Sequence, residues 1–367
     1  MKIADIETEL LSIPLIKPFK TALRTVRQAE SVMVRLICDD GTVGFGEAPP
    51  THVITGDSLA SINYAVRNVL RPQLIGLPIE RHERIHEVLE TALVHNSSAK
   101  AAIDIALYDC LGKKTGLPLY QLLGGYRHRI QTDFTVSVNS PEEMAEDAVK
   151  LVGDGFATLK VKVGNSSEAE DVARVEAIRK SVGNGVRLRL DANQGWTVKQ
   201  AISSIRRMER MGLQIELVEQ PLPARDFAGM KQVTASVATP IMADESIFSP
   251  ADAARLLAMH GCDLINIKLM KAGGIAGAEK INTLAEAYGI ECMVGCMVES
   301  PVSVSAAAHF AAAKKNVTRC DLDTPLMFTS NPVTGGIRYQ KNEIILPDRP
   351  GLGIKAIRIA GGKGSET

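Results

Sequence analysis

The sequence predicts an α/β protein in which a parallel barrel follows an α+β region. Strand-like and helix-like segments alternate from about residue 130 to residue 323, which is the pattern of a (β/α) barrel. The region before it has strands first and helices second, and the tail after it returns to turns and short strands. An open, doubly wound sheet is the alternative. It is the weaker one, because no glycine-rich phosphate loop follows the first strand.

The N-terminal third is predicted to be an α+β domain over residues 1–126. Its first 50 residues alternate strand-like runs with turns, and Gly41 after two aspartates indicates a hairpin. Residues 57–122 show helical periodicity. The last of these helices is expected to end at Gly116, shortly before Pro118.

The barrel is predicted over residues 127–323, somewhat less than the roughly 250 residues of a complete one. Amphipathic segments separate its strands, and two of them begin with Ser140-Pro141 and Ser249-Pro250, which suit the N-cap and the first helical position. The predicted strands are the apolar runs TDFTVSV, ATLKVKV, VRLRLD, IELVEQ, PIMAD, DLINIK, IECMVG and, as the weakest, VTRCDLD. The tail, residues 324–367, is expected to return to the N-terminal domain.

Composition narrows the classes of function. With 367 residues, 45% of them hydrophobic, the chain can bury more than one core. Equal numbers of basic and acidic residues, 42 each, disfavour nucleic acid and anionic membranes as partners. No apolar stretch has the length of a transmembrane helix, and the N-terminus lacks the apolar core of a signal peptide. The six cysteines form no paired CxxC set, so we expect reduced thiols in a cytoplasmic protein.

Charged residues end five successive strands of the predicted barrel. They are Lys160 and Lys162 at the second strand, Asp191, Glu219 and Asp244 at the third to fifth, and Lys268 at the sixth. Because side chains alternate along a strand, Lys160 and Lys162 share one face, and the same parity turns Asp191, Asn266 and Lys268 toward the barrel axis. The active groups of such barrels lie at these C-terminal strand ends.

The three acids predict a divalent-metal site. Carboxylates from adjacent strands would repel one another and take up protons unless a cation compensated them. Oxygen ligands with room for water and a substrate carboxylate suit octahedral Mg²⁺, whereas zinc would draw on His or Cys. We therefore expect Asp191, Glu219 and Asp244 to bind Mg²⁺. For any one of them alone, a helix cap or a loop acid is the alternative.

The lysines predict acid–base chemistry. A free lysine has a pKa near 10.4, and a base at neutral pH needs about 7–8. Neighbouring lysines beside a dication are expected to lower one another's pKa by repulsion and desolvation. Lys162 and Lys268 lie on opposite sides of the barrel, so a carbon held at the metal would have one amine on each face. The alternative for Lys160 alone is a structural ion pair, and Lys271 is expected at the solvated surface.

The segments KVK, LDANQGW, VEQP, ADES and INIKLMKAGG together resemble the enolase superfamily, and the resemblance spans almost the whole chain. They match its muconate-lactonizing subgroup, in which lysines at the second and sixth strands are the two bases. The resemblance implies a modified (β/α)7β, TIM-like barrel, with a capping domain formed by the N-terminal third and the C-terminal tail. Mandelate-racemase-like relatives use a His as a base. No His ends these strands here, and His309 in an apolar helix is expected to be structural.

Within the subgroup, the chain is most similar to the dipeptide epimerases, in particular to those acting on L-Ala-D/L-Glu. Asp321 and Asp323 form the DxD that in these enzymes binds the free ammonium of the dipeptide. Residues 18–25 correspond to the mobile loop of the capping domain, to which residues 51–57 are expected to add. Arg24 would be its specificity residue, since a guanidinium binds a side-chain carboxylate through two hydrogen bonds.

The resemblance assigns further roles around the site. Lys160 would bind the substrate carboxylate, and Thr135 and Val298 would contact the substrate. Met297 and Glu299, which flank Val298, are further candidates for the side-chain pocket. Behind the metal ligands, Glu245 would hydrogen-bond and tune Lys268, and Asn193 would support them.

The expected function is Mg²⁺-dependent epimerisation of L-Ala-D-Glu and L-Ala-L-Glu, in the metabolism of murein peptides. Two bases would exchange a proton at the α-carbon of the C-terminal residue through an enediolate. The alternatives are an epimerase of hydrophobic or cationic dipeptides, an o-succinylbenzoate synthase, an N-acylamino acid racemase, a muconate cycloisomerase, or a non-catalytic ligand-binding barrel. The expected partner is a small-molecule dipeptide, with neither nucleic acid nor membrane, and the chain is expected to form a homo-oligomer.

Overall fold

The computed structural model describes residues 1–358 and begins with a three-stranded antiparallel sheet. Its strands are β1 (Ile3–Lys20), β2 (Thr25–Cys38) and β3 (Val43–Ala48), with β2 in the centre. Gly41, with φ 86°, lies in the turn that joins β2 to β3, so the predicted hairpin is confirmed. The turn from β1 to β2 is closed by a hydrogen bond of 3.0 Å from Thr21 N–H to the Arg24 carbonyl.

Helices cover one face of this sheet. They are α1 (Leu59–Tyr64), a π-helical turn (Ala65–Leu70), α2 (Arg71–Leu74), α3 (His82–Thr91), α4 (Ser97–Thr115) and α5 (Leu119–Leu122). The buried helix α4 packs on β3 so closely that a Cβ at Gly46 would lie 1.9 Å from the Ala102 carbonyl oxygen. Gly116, in the left-handed conformation with φ 72°, ends α4 where the sequence predicts it.

The middle of the chain folds into a sheet of eight parallel strands whose order follows the chain. The strands are β5 (Phe134–Val136), β6 (Thr158–Lys162), β7 (Arg187–Asp191), β8 (Ile215–Glu219), β9 (Ile241–Ala243), β10 (Leu264–Lys268), β11 (Glu291–Gly295) and β12 (Val317–Asp321). A hydrogen bond of 3.3 Å from Asp133 N–H to the Cys320 carbonyl joins the two ends, so the barrel is nearly closed.

Helices connect these strands and surround the barrel. They are α6 (Pro141–Gly153), α7 (Glu168–Val182), α8 (Val198–Arg210), α9 (Phe227–Thr234), α10 (Pro250–Ala258), α11 (Leu269–Ala272), α12 (Ile275–Ala287) and α13 (Pro301–Ala313). Ser140 and Ser249 cap α6 and α10, as predicted, since their hydroxyls accept from the amides of Glu143 and Asp252. The result is the predicted (β/α)7β barrel, and the open sheet is excluded.

The barrel interior is divided along its axis. Outward residues such as Leu159, Leu190 and Ile265 join the main hydrophobic core under the helices. Inside the barrel, a small apolar cluster consists of Leu217, Met242, Leu264 and Met293. Below it, at the N-terminal end, Arg189 Nη1 lies 2.8 Å from Asp133 Oδ2. This filled interior leaves the opposite end of the barrel for the polar site.

The tail contacts both preceding parts of the chain. After a 3₁₀ turn (Thr324–Met327) it forms the strands β13 (Val333–Gly335), β14 (Arg338–Gln340), β15 (Glu343–Ile345) and β16 (Ile354–Ile357). The strand β15 pairs with β4 (Arg129–Gln131), which precedes the barrel. Toward the N-terminal region, Leu352 N–H donates to Asp109 Oδ1 at 2.8 Å. The domain limits at 126/127 and 323/324 stay a prediction, and residues 359–367 lie outside the described part.

Two expectations from composition concern the chain as a whole. No helix among residues 1–358 is long and apolar enough to cross a membrane. The six cysteines are free and buried, in agreement with the prediction of reduced thiols. The sulfur atoms of Cys38 and Cys110 lie 3.8 Å apart.

Candidate active site

A pocket lies between the C-terminal end of the barrel and the turns of the N-terminal domain. The barrel contributes Lys160, Lys162 and Lys268 to its wall, together with Thr135, Asn193, Val298, Asp321 and Asp323. The N-terminal domain contributes Phe19, Thr21, Leu23, Arg24, Val53 and Ile54. The structure therefore brings together the residues that the sequence assigns to substrate and to proton transfer. Both predicted lid segments, 18–25 and 51–57, line the same pocket.

Lys160 lies at the centre of this end of the barrel and is 1% exposed. Its Nζ is 2.6 Å from Asp321 Oδ2, 2.8 Å from Glu219 Oε2 and 3.0 Å from Asp191 Oδ2. Burial would lower the pKa of Lys160, but these carboxylates outweigh burial and raise the pKa well above its usual value. Lys160 is therefore permanently charged, and it lies in the floor of the pocket.

Lys162 and Lys268 approach the pocket from opposite sides, since β6 and β10 are four strands apart in a barrel of eight. Lys162 Nζ lies 2.6 Å from Asp191 Oδ2, and the ring of Phe19 from the lid is 5.8 Å away. Lys268 Nζ lies 2.7 Å from Asp244 Oδ2. The predicted placement of one amine on each side is thus what the structure shows.

The sequence argument expects lowered lysine pKa values beside a bound dication, which stays a prediction; in the arrangement that the structure shows, the pKa of Lys160 and that of Lys268 are raised. Burial does lower the pKa of Lys268, but Asp244 outweighs burial and raises the pKa above its usual value. The same is true of Lys160. The sequence argument counted repulsion between lysines, whereas in the structure each ammonium faces a carboxylate at 3.0 Å or less.

Asp191, Glu219 and Asp244 lie side by side below the lysines, and each is fully buried. Burial and the neighbouring Asp191 raise the pKa of Glu219 to about 7. Against the effect of burial, Lys160 and Lys162 lower the pKa of Asp191 to about 2. Lys268 and Lys271 likewise lower the pKa of Asp244. Glu219 is therefore the acid whose negative charge the lysines compensate least.

The acid cluster suits a hard divalent cation in its chemistry. Its ligands are all oxygen, and Glu219 Oε2 and Asp244 Oδ1 are paired only with lysine ammonium groups, that of Lys160 at 2.8 Å and that of Lys271 at 2.7 Å. As the side chains stand, no three acidic, imidazole or thiol groups of residues 1–358 converge closely enough to hold a metal ion. The Lys160 ammonium instead lies against Asp191 and Glu219. These residues fit Mg²⁺ if Lys160 withdraws from between them.

Two polar residues behind the cluster differ in part from the prediction. Asn193, with φ 40°, donates its backbone N–H to Asp191 Oδ1 at 2.9 Å, so it fixes that carboxylate. Its Nδ2 donates to Glu245 Oε1 at 3.2 Å. The expected hydrogen bond between Lys268 and Glu245 is not formed among the described residues: Glu245 Oε2 has no hydrogen-bond partner, and Lys268 Nζ lies against Asp244 instead. Burial and the Asp244 carboxylate raise the pKa of Glu245 to about 8.

Asp321 and Asp323 follow β12 and both line the pocket. Asp321 already binds one ammonium group, that of Lys160, at 2.6 Å. Asp323 Oδ2 accepts from the backbone amide of Thr135 at 2.7 Å, so Thr135 positions this carboxylate through its main chain. Burial and the charge of Asp321 raise the pKa of Asp323 to about 7. The pair can accept hydrogen bonds from a further cation.

Arg24 brings a cationic group to the lid side of the pocket. Its side chain is partly buried, and burial lowers the pKa of its guanidinium. Within residues 1–358, no carboxylate lies within ion-pair distance of this group. An arginine that is half-desolvated without an anionic partner is arranged to receive one from a ligand.

The expectation that Lys271 lies at the solvated surface is wrong. Lys271 is buried beneath the acid cluster and is 2% exposed. Its Nζ lies 2.7 Å from Asp244 Oδ1. Burial lowers the pKa of Lys271, against the influence of Asp244. His309, in contrast, is structural as predicted. It is fully buried, accepts from Tyr120 N–H at 2.9 Å, and burial lowers its pKa to about 3.

Val298 and Met297 line the pocket after β11, whereas Glu299 turns away from it. Glu299 Oε1 accepts from Met297 N–H at 2.6 Å, and its Oε2 accepts from the Ser303 hydroxyl. The sequence did not indicate Asn266 as a support for the metal ligands. Its Nδ2 donates to Glu219 Oε1 at 2.7 Å, which fixes that carboxylate.

Family models match both parts of the chain. The model described as "Mandelate racemase / muconate lactonizing enzyme, N-terminal domain" matches residues 6–124. The model described as "Enolase C-terminal domain-like" matches residues 143–358. Together they cover most of the N-terminal sheet and helices, the barrel apart from its first strand β5, and the described tail.

Curated relatives are similar over nearly their full length. The L-Ala-D/L-Glu epimerase of Bacillus subtilis is 58% identical, over 96% of this chain and 97% of that protein. The L-Ala-D/L-Glu epimerase of Clostridium acetobutylicum is 53% identical, over 97% and 99%. The hydrophobic dipeptide epimerase of Enterococcus faecalis is 47% identical, over 96% and 99%.

Solved structures agree in fold. A substrate-liganded complex of the Bacillus subtilis L-Ala-D/L-Glu epimerase superposes with a TM-score of 0.96 at 58% identity, over 96% of this chain and 99% of that one. The dipeptide epimerase of Enterococcus faecalis, complexed with Mg and the dipeptide L-Leu-L-Tyr, superposes with a TM-score of 0.94 at 47% identity, over 96% and 99%.

Proposed function

Because this chain belongs to the enolase superfamily, with the N-terminal domain of the mandelate racemases and muconate lactonizing enzymes, we propose that it epimerises L-Ala-D-Glu and L-Ala-L-Glu with Mg²⁺. The chain is an enzyme of the dipeptide epimerase type, since relatives 58% and 53% identical to it carry that activity in their names. The observation that carries the proposed chemistry is the placement of Lys162 and Lys268 on opposite sides of one acid cluster.

Asp191, Glu219 and Asp244 would hold the metal, which when bound supplies positive charge beside the substrate carboxylate. The remaining steps belong to the lysines. With Asp244 bound to the metal, the carboxylate that raises the pKa of Lys268 would be neutralised. Either Lys162 or Lys268, as a neutral amine, then takes the α-proton, and the electron pair of the C–H bond moves into the carboxylate as an enediolate. The opposite lysine, as an ammonium, then gives a proton to the other face of the α-carbon. Lys160 stabilises charge that grows on the carboxylate oxygens toward the transition state.

Two features orient a dipeptide in the pocket. Asp321 and Asp323 would bind its free ammonium, a group of the kind that Asp321 already binds on Lys160. Arg24 would bind the side-chain carboxylate of the C-terminal glutamate, because it has no anionic partner within the described chain. Val298 and Thr135 also line the pocket. This orientation places the α-carbon between the two end lysines.

The same features weigh against the other reactions of the subgroup. Muconate, N-acylamino acids and the precursor of o-succinylbenzoate offer no free ammonium for Asp321 and Asp323. Hydrophobic or cationic dipeptides would leave Arg24 buried without a partner, which is costly. A non-catalytic barrel gives no reason for two amines beside an acid cluster. Murein peptide metabolism, the cytoplasm as compartment and a homo-oligomeric state remain predictions from the resemblance.

The substrate proposal is tested by Arg24→Met, which keeps the length of the side chain and removes the guanidinium. Hydrogen bonds to charged groups contribute about 1.5–3 kcal/mol, so kcat/KM for L-Ala-L-Glu should fall roughly ten- to hundredfold. The value for L-Ala-L-Leu should change little. Arg27→Met, at an exposed position of β2, is the matched control. Equal losses for both dipeptides would show that Arg24 does not select the side chain.

The metal proposal is tested by calorimetric titration of the metal-free protein with Mg²⁺. Glu219→Gln should weaken binding, because an amide is a poorer ligand for a hard cation than a carboxylate. Glu286→Gln, an exposed position on α12, should leave binding unchanged. Removing the metal with a chelator should abolish α-proton exchange, and Mg²⁺ should restore it. Undiminished exchange without metal would overturn this part of the proposal.

A further inference from the structure

The turn after β9, residues 244–247, carries Asp244 and is buried on every side. Asp244, Glu245, Ser246 and Ile247 are each 4% exposed or less. The backbone amides and carbonyls of such a turn need hydrogen-bond partners inside the protein. Two side chains from neighbouring elements, Gln220 and Lys271, supply them.

Gln220 binds the amide side of the turn. Its Oε1 accepts from Asp244 N–H at 2.9 Å and from Ser246 N–H at 3.1 Å. Its Nε2 donates to the Ser246 hydroxyl and to the Leu222 carbonyl, both at 2.8 Å. All the hydrogen-bonding capacity of the amide is used. Its backbone has φ 36°, a region uncommon for residues other than glycine, which places the side chain under the turn.

Lys271 binds the carbonyl side of the same turn. Its Nζ donates to the carbonyl of Asp244, to that of Ile247 at 3.1 Å and to that of Asn266 at 3.2 Å. It also lies 2.7 Å from Asp244 Oδ1. The other carboxylate oxygen, Oδ2, accepts from Lys268 Nζ at 2.7 Å. One lysine thus holds the backbone and one oxygen of Asp244, while the catalytic candidate Lys268 binds the other oxygen.

We propose that Gln220 and Lys271 form a clamp on residues 244–247 that positions Asp244 and, through it, Lys268. Lys271 is a positioning residue, since it lies under the cluster and does not line the pocket. Lys162 is held by Asp191 on the other side of the barrel and does not contact this turn. The clamp therefore affects proton transfer at only one of the two faces of the α-carbon. This catalytic consequence rests on the proposed function.

The clamp itself is tested without metal or substrate. Amide hydrogen exchange, followed by mass spectrometry on peptides covering residues 244–249, is compared in the wild type, Lys271→Met, Lys271→Gln and Lys280→Met. Lys271→Met removes all four contacts, and Lys271→Gln is the milder variant if the first does not fold. Lys280 is an exposed lysine on α12 and serves as the control. Amide exchange of residues 244–249 should be faster than in the wild type in both Lys271 variants, and it should be unchanged in Lys280→Met. Unchanged exchange in them would overturn the clamp.

The consequence for one face is tested by α-proton exchange of L-Ala-L-Glu and L-Ala-D-Glu in D₂O. The isomer that still exchanges in Lys162→Ala is the one served by Lys268. Misplacing a catalytic group by an ångström costs up to about a hundredfold, so Lys271→Met should slow that isomer at least about tenfold more than the other. A general weakening of the fold would slow both isomers alike, and that result would overturn the positioning role.

The two experiments separate the inference from the function on which it rests. If the wild type exchanges neither isomer, the proposed function fails, while hydrogen exchange of residues 244–249 still decides whether the clamp exists. If the wild type exchanges both isomers but Lys271→Met does not distinguish them, the proposed function stands and the positioning role fails.

Discussion

Replacing Glu299 by Gln should stabilise the protein above neutral pH and leave its stability unchanged in acid. The Glu299 residue is 2% exposed, and within residues 1–358 its carboxylate accepts hydrogen bonds only from the Met297 amide and the Ser303 hydroxyl. Burial raises the pKa of Glu299 to about 7, although both hydrogen bonds act in the opposite direction. A glutamine can keep both contacts, since its oxygen accepts from the amide and its nitrogen donates to the hydroxyl.

The magnitude follows from the pKa of Glu299 in the two states. Because the folded value, about 7, exceeds the unfolded value of 4.5, the folded protein binds the proton more tightly. The resulting stability is fully present below pH 4.5 and is lost as the pH rises through 7. At pH 8 the loss is about 3 kcal/mol, at 1.36 kcal/mol per pKa unit. Glutamine does not titrate, so Glu299→Gln should exceed the wild type by that order at pH 8.

The assay is urea unfolding of both proteins at pH 5 and pH 8, followed by circular dichroism. Groups that titrate identically in the two proteins cancel in the difference. Glu286→Gln, which replaces an exposed carboxylate on α12, should show no such dependence on pH. An equal effect of Glu299→Gln at both pH values would refute the reasoning, because it would place the effect in packing and not in the buried charge.

Two further predictions concern packing and the thiols. Gly46→Ala should destabilise the protein by several kcal/mol in thermal unfolding, since its Cβ would lie 1.9 Å from the Ala102 carbonyl oxygen, while Gly185→Ala, with open space around it, should change little. An equal effect of the two substitutions would contradict the close approach of β3 and α4. A thiol reagent should label none of the six buried cysteines rapidly in the native protein and all six after denaturation. Rapid native labelling would contradict their burial.

Regular strands are the reason that most of the site could be predicted from sequence. Alternation along β6, β7 and β10 places Lys160, Asp191 and Lys268 on the axis without knowledge of any contact. The register of parallel strands then brings their ends to one level, as the pairing of Lys162 with Asp191 shows. The period of the chain and the order of the strands therefore predict that these residues converge, whereas the roles of Arg24, Asp321 and Asp323 came from the resemblance.

The failures occur where the chain leaves the strand. Lys271 lies three residues beyond Lys268, but α11 begins at Leu269, so a helical turn returns the side chain under β9. Gln220 follows Glu219 and has φ 36°, a backbone conformation that a glutamine in the sequence does not predict. The raised pKa of Lys160 and of Lys268 could not be predicted for another reason, because it depends on contact distances to carboxylates that sequence spacing does not give.

The central claim, one lysine for each face of the α-carbon, is tested most directly by D₂O exchange in Lys162→Ala and Lys268→Ala. Both isomers, L-Ala-L-Glu and L-Ala-D-Glu, are incubated with each variant, and α-proton exchange and epimerisation are followed by NMR. Neither variant should epimerise, and each should exchange only one isomer, a different one in each case. Normal epimerisation by both variants, or exchange of the same isomer by both, would contradict the account.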